Sequence, residues 1–236
     1  MPTAPSLHQD NNAAVLGQFL DLRVADIRDG LDACGYHYIG SMTPDIRPLW
    51  RTRTVGIART ARYLPYQGRV PESPVEAYLE WSGWYYNNVC TYPWMQTIRE
   101  GDLVVIDQSG VNCGLMGSEN TLTALKRGVH GFISNGGVRD TDEIILQEIP
   151  FWSRLVSQGM VQSRLQFDAM DVPVCVGGQT VHPGDVVAAD GDGVVVVPQD
   201  IASDVAAFGQ EEHARDMKSR RKHYDDLGRT HDATLE

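Results

Sequence analysis

Gly114-Leu-Met-Gly117-Ser118-Glu119-Asn120 and Asn135-Gly136-Gly137-Val138-Arg139-Asp140-Thr141-Asp142-Glu143 are two glycine-rich stretches, each set before a run of helical character. Between them, Thr121 to Arg127 reads as a helix stopped by Gly128, and Gly131-Phe-Ile-Ser134 as a short strand. After the second stretch a helix is expected from Asp140 towards Gln147. Strand, turn and helix thus occur twice in succession, which is the pattern of an α/β domain.

Working outward, Val55 to Leu64 alternates as a strand, and Leu103-Val-Val-Ile-Asp107 is a short apolar run that suits a buried one. Upstream, Ala13 to Ala33 carries helical spacing with a break near Val24, predicting two helices. Downstream, Val172–Val176, Thr180–Val181, Val186–Ala189 and Val194–Val197 are short β runs separated by glycine turns, and they read as a meander. A last helix is expected from Ile201 to Tyr224. The expectation is one α/β domain over 1–236 with a central β/β/α layered core, N-terminal helices and a C-terminal helix. Residues 1–12 and 226–236 are expected to be flexible.

Composition narrows the function classes. The formal net charge of −11 disfavours a phosphate backbone as partner. The densest basic run, Lys218-Ser219-Arg220-Arg221-Lys222, reads as a solvated helix face, so no nucleic-acid partner is expected. No apolar stretch is long enough for a membrane helix and no secretory leader is visible, so a cytoplasmic protein without a membrane partner is expected. Cys34, Cys90, Cys113 and Cys175 form no CxxC pair and are expected to be reduced and buried.

Two helix N-termini placed near each other make an anion site, because their first N–H groups have no intrahelical acceptor. Gly117, Ser118, Glu119 and Asn120 could cradle a carboxylate in this way, or Ser118 could simply cap its helix. Asp140 and Glu143 have the spacing of a capping box, and equally could serve a divalent cation beside Arg139.

Asn135-Gly-Gly-Val-Arg-Asp140, with the preceding glycine-rich stretch and the helix from Thr121, resembles the signature of the RraA-like family. Asp45-Ile-Arg-Pro-Leu-Trp50 with Val55-Gly56, and Val181-His-Pro-Gly-Asp through Val197-Pro198, resemble its N- and C-terminal segments. That family includes RNase E activity regulators and class II aldolases acting on 4-hydroxy-4-methyl-2-oxoglutarate and 4-carboxy-4-hydroxy-2-oxoadipate. The resemblance implies a metal-dependent lyase that cleaves a 4-hydroxy-2-oxo acid, or decarboxylates oxaloacetate, and releases pyruvate. A non-catalytic RNase regulator and a C–C hydrolase of a diketo acid are the alternatives. It implies that Arg139 and Asp140 are catalytic, with Arg139 stabilising an enolate and Asp140 holding Mg²⁺ or Mn²⁺. Residues 117–120 would bind the substrate carboxylate. Where the aldolases carry a metal-shell Asp, this chain has Ser118, which moves that task to Glu119; Glu143 is a further candidate ligand. The resemblance also implies a homotrimer or homohexamer in which Glu212 or Asp216 of the last helix reaches a neighbour's site.

Overall fold

The computed structural model describes residues 9–69 and 75–235. A mixed sheet carries the fold. Four parallel strands form its middle: β2 (Thr54–Pro65), β3 (Asp102–Asp107), β5 (Gly131–Val138) and β6 (Phe151–Val156). Antiparallel strands complete it. β1 (Arg47–Pro48) lies on β6, and β10 (Val186–Ala189) joins β2 to β11 (Val194–Val197). β7 (Leu165–Met170) pairs with the second half of β2, and β4 (Gly114–Met116) with the end of β5. β2 is long enough to hold β10 along Thr54–Ile57 and β7 along Ala61–Pro65 while β3 runs beside it from Ile57 to Arg62.

Both faces of the central strands are buried, so their side chains alternate between two cores. Val104, Ile106 and Phe132 enter an aromatic core with Tyr63, Tyr85 and Trp94. Leu103, Val105 and Ile133 enter the opposite core with Trp152 and the residues of a separate hairpin, β8 (Val174–Val176) and β9 (Gln179–Val181). A third core lies under three helices, α1 (Gln9–Gly17), α2 (Val24–Ala33) and α6 (Ala202–Asp226). The remaining helices are α3 (Tyr78–Asn88), α4 (Ser118–Leu125) and α5 (Thr141–Leu146).

The α/β domain with N-terminal helices and a C-terminal helix is as expected from the sequence, and the local differences are these. The C-terminal β runs are not one meander: β8 and β9 pair only with each other, while β10 leaves them to join β2. Phe151–Val156 and Leu165–Met170 are strands that the sequence pattern did not signal. At the C-terminal end, residues 233–235 form a short turn against α6. Leu235 is buried, its carbonyl accepts from Arg221 Nη2 at 2.8 Å, and Tyr224 donates to Asp232 at 2.9 Å. Residues 1–8 of the expected flexible N-terminus lie outside the described residues, and 9–12 are helical. Of the four cysteines, Cys90 and Cys113 are buried and Cys34 partly so, but Cys175 is exposed. No helix among the described residues is long and apolar enough to cross a membrane.

A buried charge cluster ties β2 to β3. Arg59 is 4% exposed in mid-strand. Its Nε donates to Asp102 at 2.7 Å and its Nη1 to Asp171 at 2.9 Å. Removing one member of such a set leaves the other charge dry and unpaired, at a cost of about 3–5 kcal/mol. Arg59→Ala should therefore lower the unfolding free energy by that amount in urea titration. A loss below about 1 kcal/mol would show that water reaches Asp102 readily.

Candidate functional site

The chain enters the site along β5, and β5 is irregular there. Its pairing with β6 shifts between Ser134 and Gly137, so the strand continues to Val138 where the sequence suggested a turn at Asn135-Gly-Gly. Gln108, fully buried, fills the irregularity. Its Nε2 donates to Ser134 Oγ at 2.6 Å and to the Gly137 carbonyl at 3.2 Å. A β-carbon on Gly136 would stand 2.5 Å from that of Gln108. Gly114–Met116, read from the sequence as part of a loop, is the short strand β4, and Arg139 N donates to the Met116 carbonyl at 3.1 Å.

This pairing lays Arg139 and Asp140 directly over two glycines. A β-carbon on Gly114 would lie 2.7 Å from Arg139 Cγ, and one on Gly117 would lie 2.3 Å from Asp140 Oδ2. Asp140 adopts φ 55°, ψ 41°, the left-handed region that Asp tolerates better than most residues. It makes no side-chain cap on α5, so the capping box expected with Glu143 is absent. Its carboxylate instead accepts from Ser118 N at 3.2 Å, at the start of α4. The N-cap of α4 is Gly117, not Ser118. The left-handed turn at Asp140 thus aims an acid from one helix start at the amide end of the next.

Arg139 Nε stands 3.6 Å from Asp140 Oδ1, and both side chains are about one-third exposed. They face a cavity of about 650 Å³ that Gly117, Glu119 and Asn120 also line. The first backbone bond within α4 runs from Thr121 N to the Gly117 carbonyl, so the amides of Glu119 and Asn120 precede it. Ser118 does not line the cavity. Glu143 is exposed on α5 and does not line it either. Glu212 and Asp216 lie elsewhere in the chain: Asp216 accepts from Arg23 at 2.8 Å and from Arg220 at 3.3 Å, and Glu212 pairs with Arg215. Among the described residues, no cluster of three or more His, Cys, Asp or Glu is poised for a metal ion.

Further lining comes from α3 and the segment after it: Tyr86, Asn87, Thr91, Tyr92 and Pro93. In the sequence, residues 78–94 stand out only by their density of aromatic residues. Tyr86 and Tyr92 stack with ring centroids 6.5 Å apart. Burial pushes the Tyr92 phenol well above its ordinary pKa, so it stays protonated and donates to the Leu115 carbonyl at 2.8 Å. Burial likewise pushes the neighbouring Cys113 thiol to about 11, which keeps it out of nucleophilic chemistry.

The contact between Gly117 and Asp140 can be tested without reference to any reaction. Gly117 has φ −140°, which alanine accepts, so Gly117→Ala costs what the collision costs. Overpacking of this kind destabilises by about 1–3 kcal/mol. The loss should appear in chemical denaturation and largely vanish when Asp140→Ala is the background, a coupling that a double-mutant cycle measures. Equal losses in both backgrounds would place the strain elsewhere.

A profile described as RraA-like, Aldolase/RraA, matches residues 24–196. Protein DlpA of Legionella pneumophila is 28% identical over 206 residues, which cover 86% of this chain but 31% of DlpA, so the chain spans about a third of that relative. A protein of Halalkalibacterium halodurans, provisionally named a 4-hydroxy-4-methyl-2-oxoglutarate aldolase, is 27% identical over 214 residues, covering 90% of this chain and 85% of that one. Among solved structures, Streptomyces coelicolor RraAS2, described as an unusual member of the RNase ES inhibitor RraA protein family, superposes with a TM-score of 0.73. It covers 89% of this chain and 98% of its own at 23% identity, a likeness of fold. The profile takes in well over half of the residues, from α2 to β11 and through both glycine-rich stretches, and the chain belongs to the RraA-like (Aldolase/RraA) family.

Proposed function

We propose that the protein is a carbon–carbon lyase that uses a divalent cation to cleave or decarboxylate a small 2-oxo acid and release pyruvate. One observation carries the reading: the Arg139 guanidinium, two carboxylates and the N-terminus of α4 all face one cavity. The aldolase name borne by the Halalkalibacterium relative agrees with it.

The residues present fit a hard cation. Asp140 and Glu119 offer carboxylate oxygens to the cavity, and no thiol or imidazole lines it among the described residues. One or two carboxylates, with water and substrate oxygens completing the shell, are what Mg²⁺ or Mn²⁺ commonly takes. When bound, such a cation draws electron density from the 2-oxo group as a Lewis acid.

The chain's own groups divide the remaining work. Arg139 donates to the 2-oxo oxygen as negative charge gathers on it, a charge-assisted bond that strengthens as the enolate forms. The amides of Glu119 and Asn120 meet the substrate carboxylate at the positive end of α4. Asp140, fixed by Ser118 N and the bare face of Gly117, holds its oxygens in place before substrate arrives. Leu115, Tyr92 and Pro93 close the wall and limit water around the enolate. No lysine lines the cavity among the described residues, so an imine route has no amine there. In a homotrimer or homohexamer, α6 would be the element that brings Glu212 or Asp216 to a neighbour, after release from their present ion pairs.

Three measurements decide the reading. Pyruvate release from 4-hydroxy-2-oxo acids or oxaloacetate should stop with EDTA and return with Mg²⁺ or Mn²⁺; full turnover by metal-free protein rules out the cation's role. Product analysis excludes a hydrolase if pyruvate and an aldehyde or ketone appear in equal amounts, and no turnover on any 2-oxo acid favours the protein-binding regulator. For Arg139→Ala, kcat should fall roughly 10²–10³-fold, the range for losing one oxyanion donor. Arg139→Lys should recover little of it, because an ammonium lacks the planar fork. A near-normal kcat in the alanine variant would leave Arg139 a structural residue.

A further inference from the structure

The cavity is several times larger than a pyruvyl fragment needs, and its two walls differ in chemistry. Arg139 is the single cationic side chain on it among the described residues, and it lies on the same side as Glu119, Asp140 and the start of α4. The rest of the lining, from α3 and the segment after it, is uncharged: the stacked rings of Tyr86 and Tyr92, the ring of Pro93, and the short polar side chains of Asn87 and Thr91. A substrate anchored through its 2-oxo acid end has these uncharged residues left to take its far end.

From this asymmetry we infer that the wall formed by Tyr86, Tyr92 and Pro93 selects 2-oxo acids whose far end is an uncharged ring, in preference to dicarboxylates. The inference rests on the lyase reading for its chemistry and on the wall for its selectivity. A second carboxylate at the far end would find no cation of this chain on the lining to pair with, would sit beside aromatic rings, and would share the cavity with Glu119 and Asp140. An aryl group finds offset-stacking partners in the same place. Tyr92 cannot serve the second carboxylate as donor without giving up its bond to Leu115.

The reaction such a substrate undergoes is balanced without a further reactant. In a 4-aryl-4-hydroxy-2-oxobutanoate the C4 hydroxyl loses its proton to a cavity carboxylate. The C3–C4 bond breaks, and its electron pair passes to C3 to give the enolate of pyruvate. C4 leaves as the aryl aldehyde, and the enolate takes a proton at C3. Nothing is oxidised or reduced.

The test separates binding from cleavage. 2-Oxo-4-phenylbutanoate and 2-oxoglutarate share the 2-oxo acid end, differ in phenyl against carboxylate, and lack the hydroxyl needed for cleavage. By calorimetry in the presence of Mg²⁺, the phenyl compound should bind the wild-type protein at least roughly tenfold more tightly. Tyr86→Ala should erase most of that advantage while changing 2-oxoglutarate affinity far less; equal losses for both ligands would mean a structural role and would overturn the inference. Asn87 is exposed at the cavity wall, so Asn87→Arg adds a cation at little cost to the fold and should shift preference towards 2-oxoglutarate. Equal affinities, or tighter binding of 2-oxoglutarate by the wild type, overturn the inference whether or not anything is cleaved. If the phenyl preference holds but 4-hydroxy-2-oxo-4-phenylbutanoate yields no pyruvate and benzaldehyde, retro-aldol cleavage of such substrates fails and the wall's selectivity stands.

Discussion

The close passage of Arg139 and Asp140 over the bare backbone of Gly114 and Gly117 is the contact on which the site depends. Side chains on either glycine would collide with them, at 2.7 Å from Arg139 Cγ and 2.3 Å from Asp140 Oδ2. The bond from Arg139 N to the Met116 carbonyl holds the two segments at that distance. Because the approach is made by main chain on one side, it leaves the amides at the start of α4 beside a carboxylate and a guanidinium. One acid, one base and a helix terminus become neighbours through backbone geometry, not through a long side-chain network.

That geometry is prepared further back in the sheet. β3 and β5 run parallel and deliver Gln108 and Ser134 to the same level, where Gln108 is fully buried against Gly136. The side chain of Gln108 takes up the shift in pairing between β5 and β6, and the strand resumes at Gly137 with a changed facing. Asn135 joins the same knot by donating to Asp107 at 2.7 Å and accepting from Gln108 N at 2.7 Å. Bulges near sites commonly re-aim a strand in this manner. Here the re-aimed strand ends on Arg139, and the left-handed turn at Asp140 then directs the acid away from its own helix.

Much of this is legible in the sequence. Hydrophobic alternation marks β2, a short apolar run marks β3, and glycine with helical spacing marks α4 and α5, because these elements are set by local pattern. Long-range pairing was not legible. Nothing in Val186–Ala189 says that it will leave its neighbouring hairpin for β2, since strands of valine and alanine can pair with many partners. Phe151–Val156 was missed because both faces of its first half are buried and no alternation remains to read. At the site, Arg139, Asp140, Glu119 and Asn120 were found through the glycines around them. Tyr86 and Tyr92 showed only as part of an aromatic cluster, and Asn87, Thr91 and Pro93 gave no signal, because they reach the cavity through the tertiary path of α3.

Environment, and not residue type, sorts the carboxylates of this chain into roles. Asp102 is buried against Arg59 and belongs to the frame of the sheet. Asp26 is 1% exposed; burial works against its charge, but hydrogen bonds from the Arg23 guanidinium and amide and from His213 outweigh that and leave its pKa below the ordinary carboxylate value. Arg23 spans from Asp26 to Asp216, so an acid that the family resemblance marks as a ligand takes part, in this chain, in fastening α6 to α2. Asp140 is different on each count. It is one-third exposed, its nearest cation stands off at 3.6 Å, and its firmest bond is to a backbone amide. A carboxylate held in position while its charge is left largely uncompensated retains lone pairs for a cation or a substrate proton. Of the acids considered as ligands, Asp140 meets that condition at the cavity, with Glu119 beside it, and Glu143, Glu212 and Asp216 do not meet it within one chain.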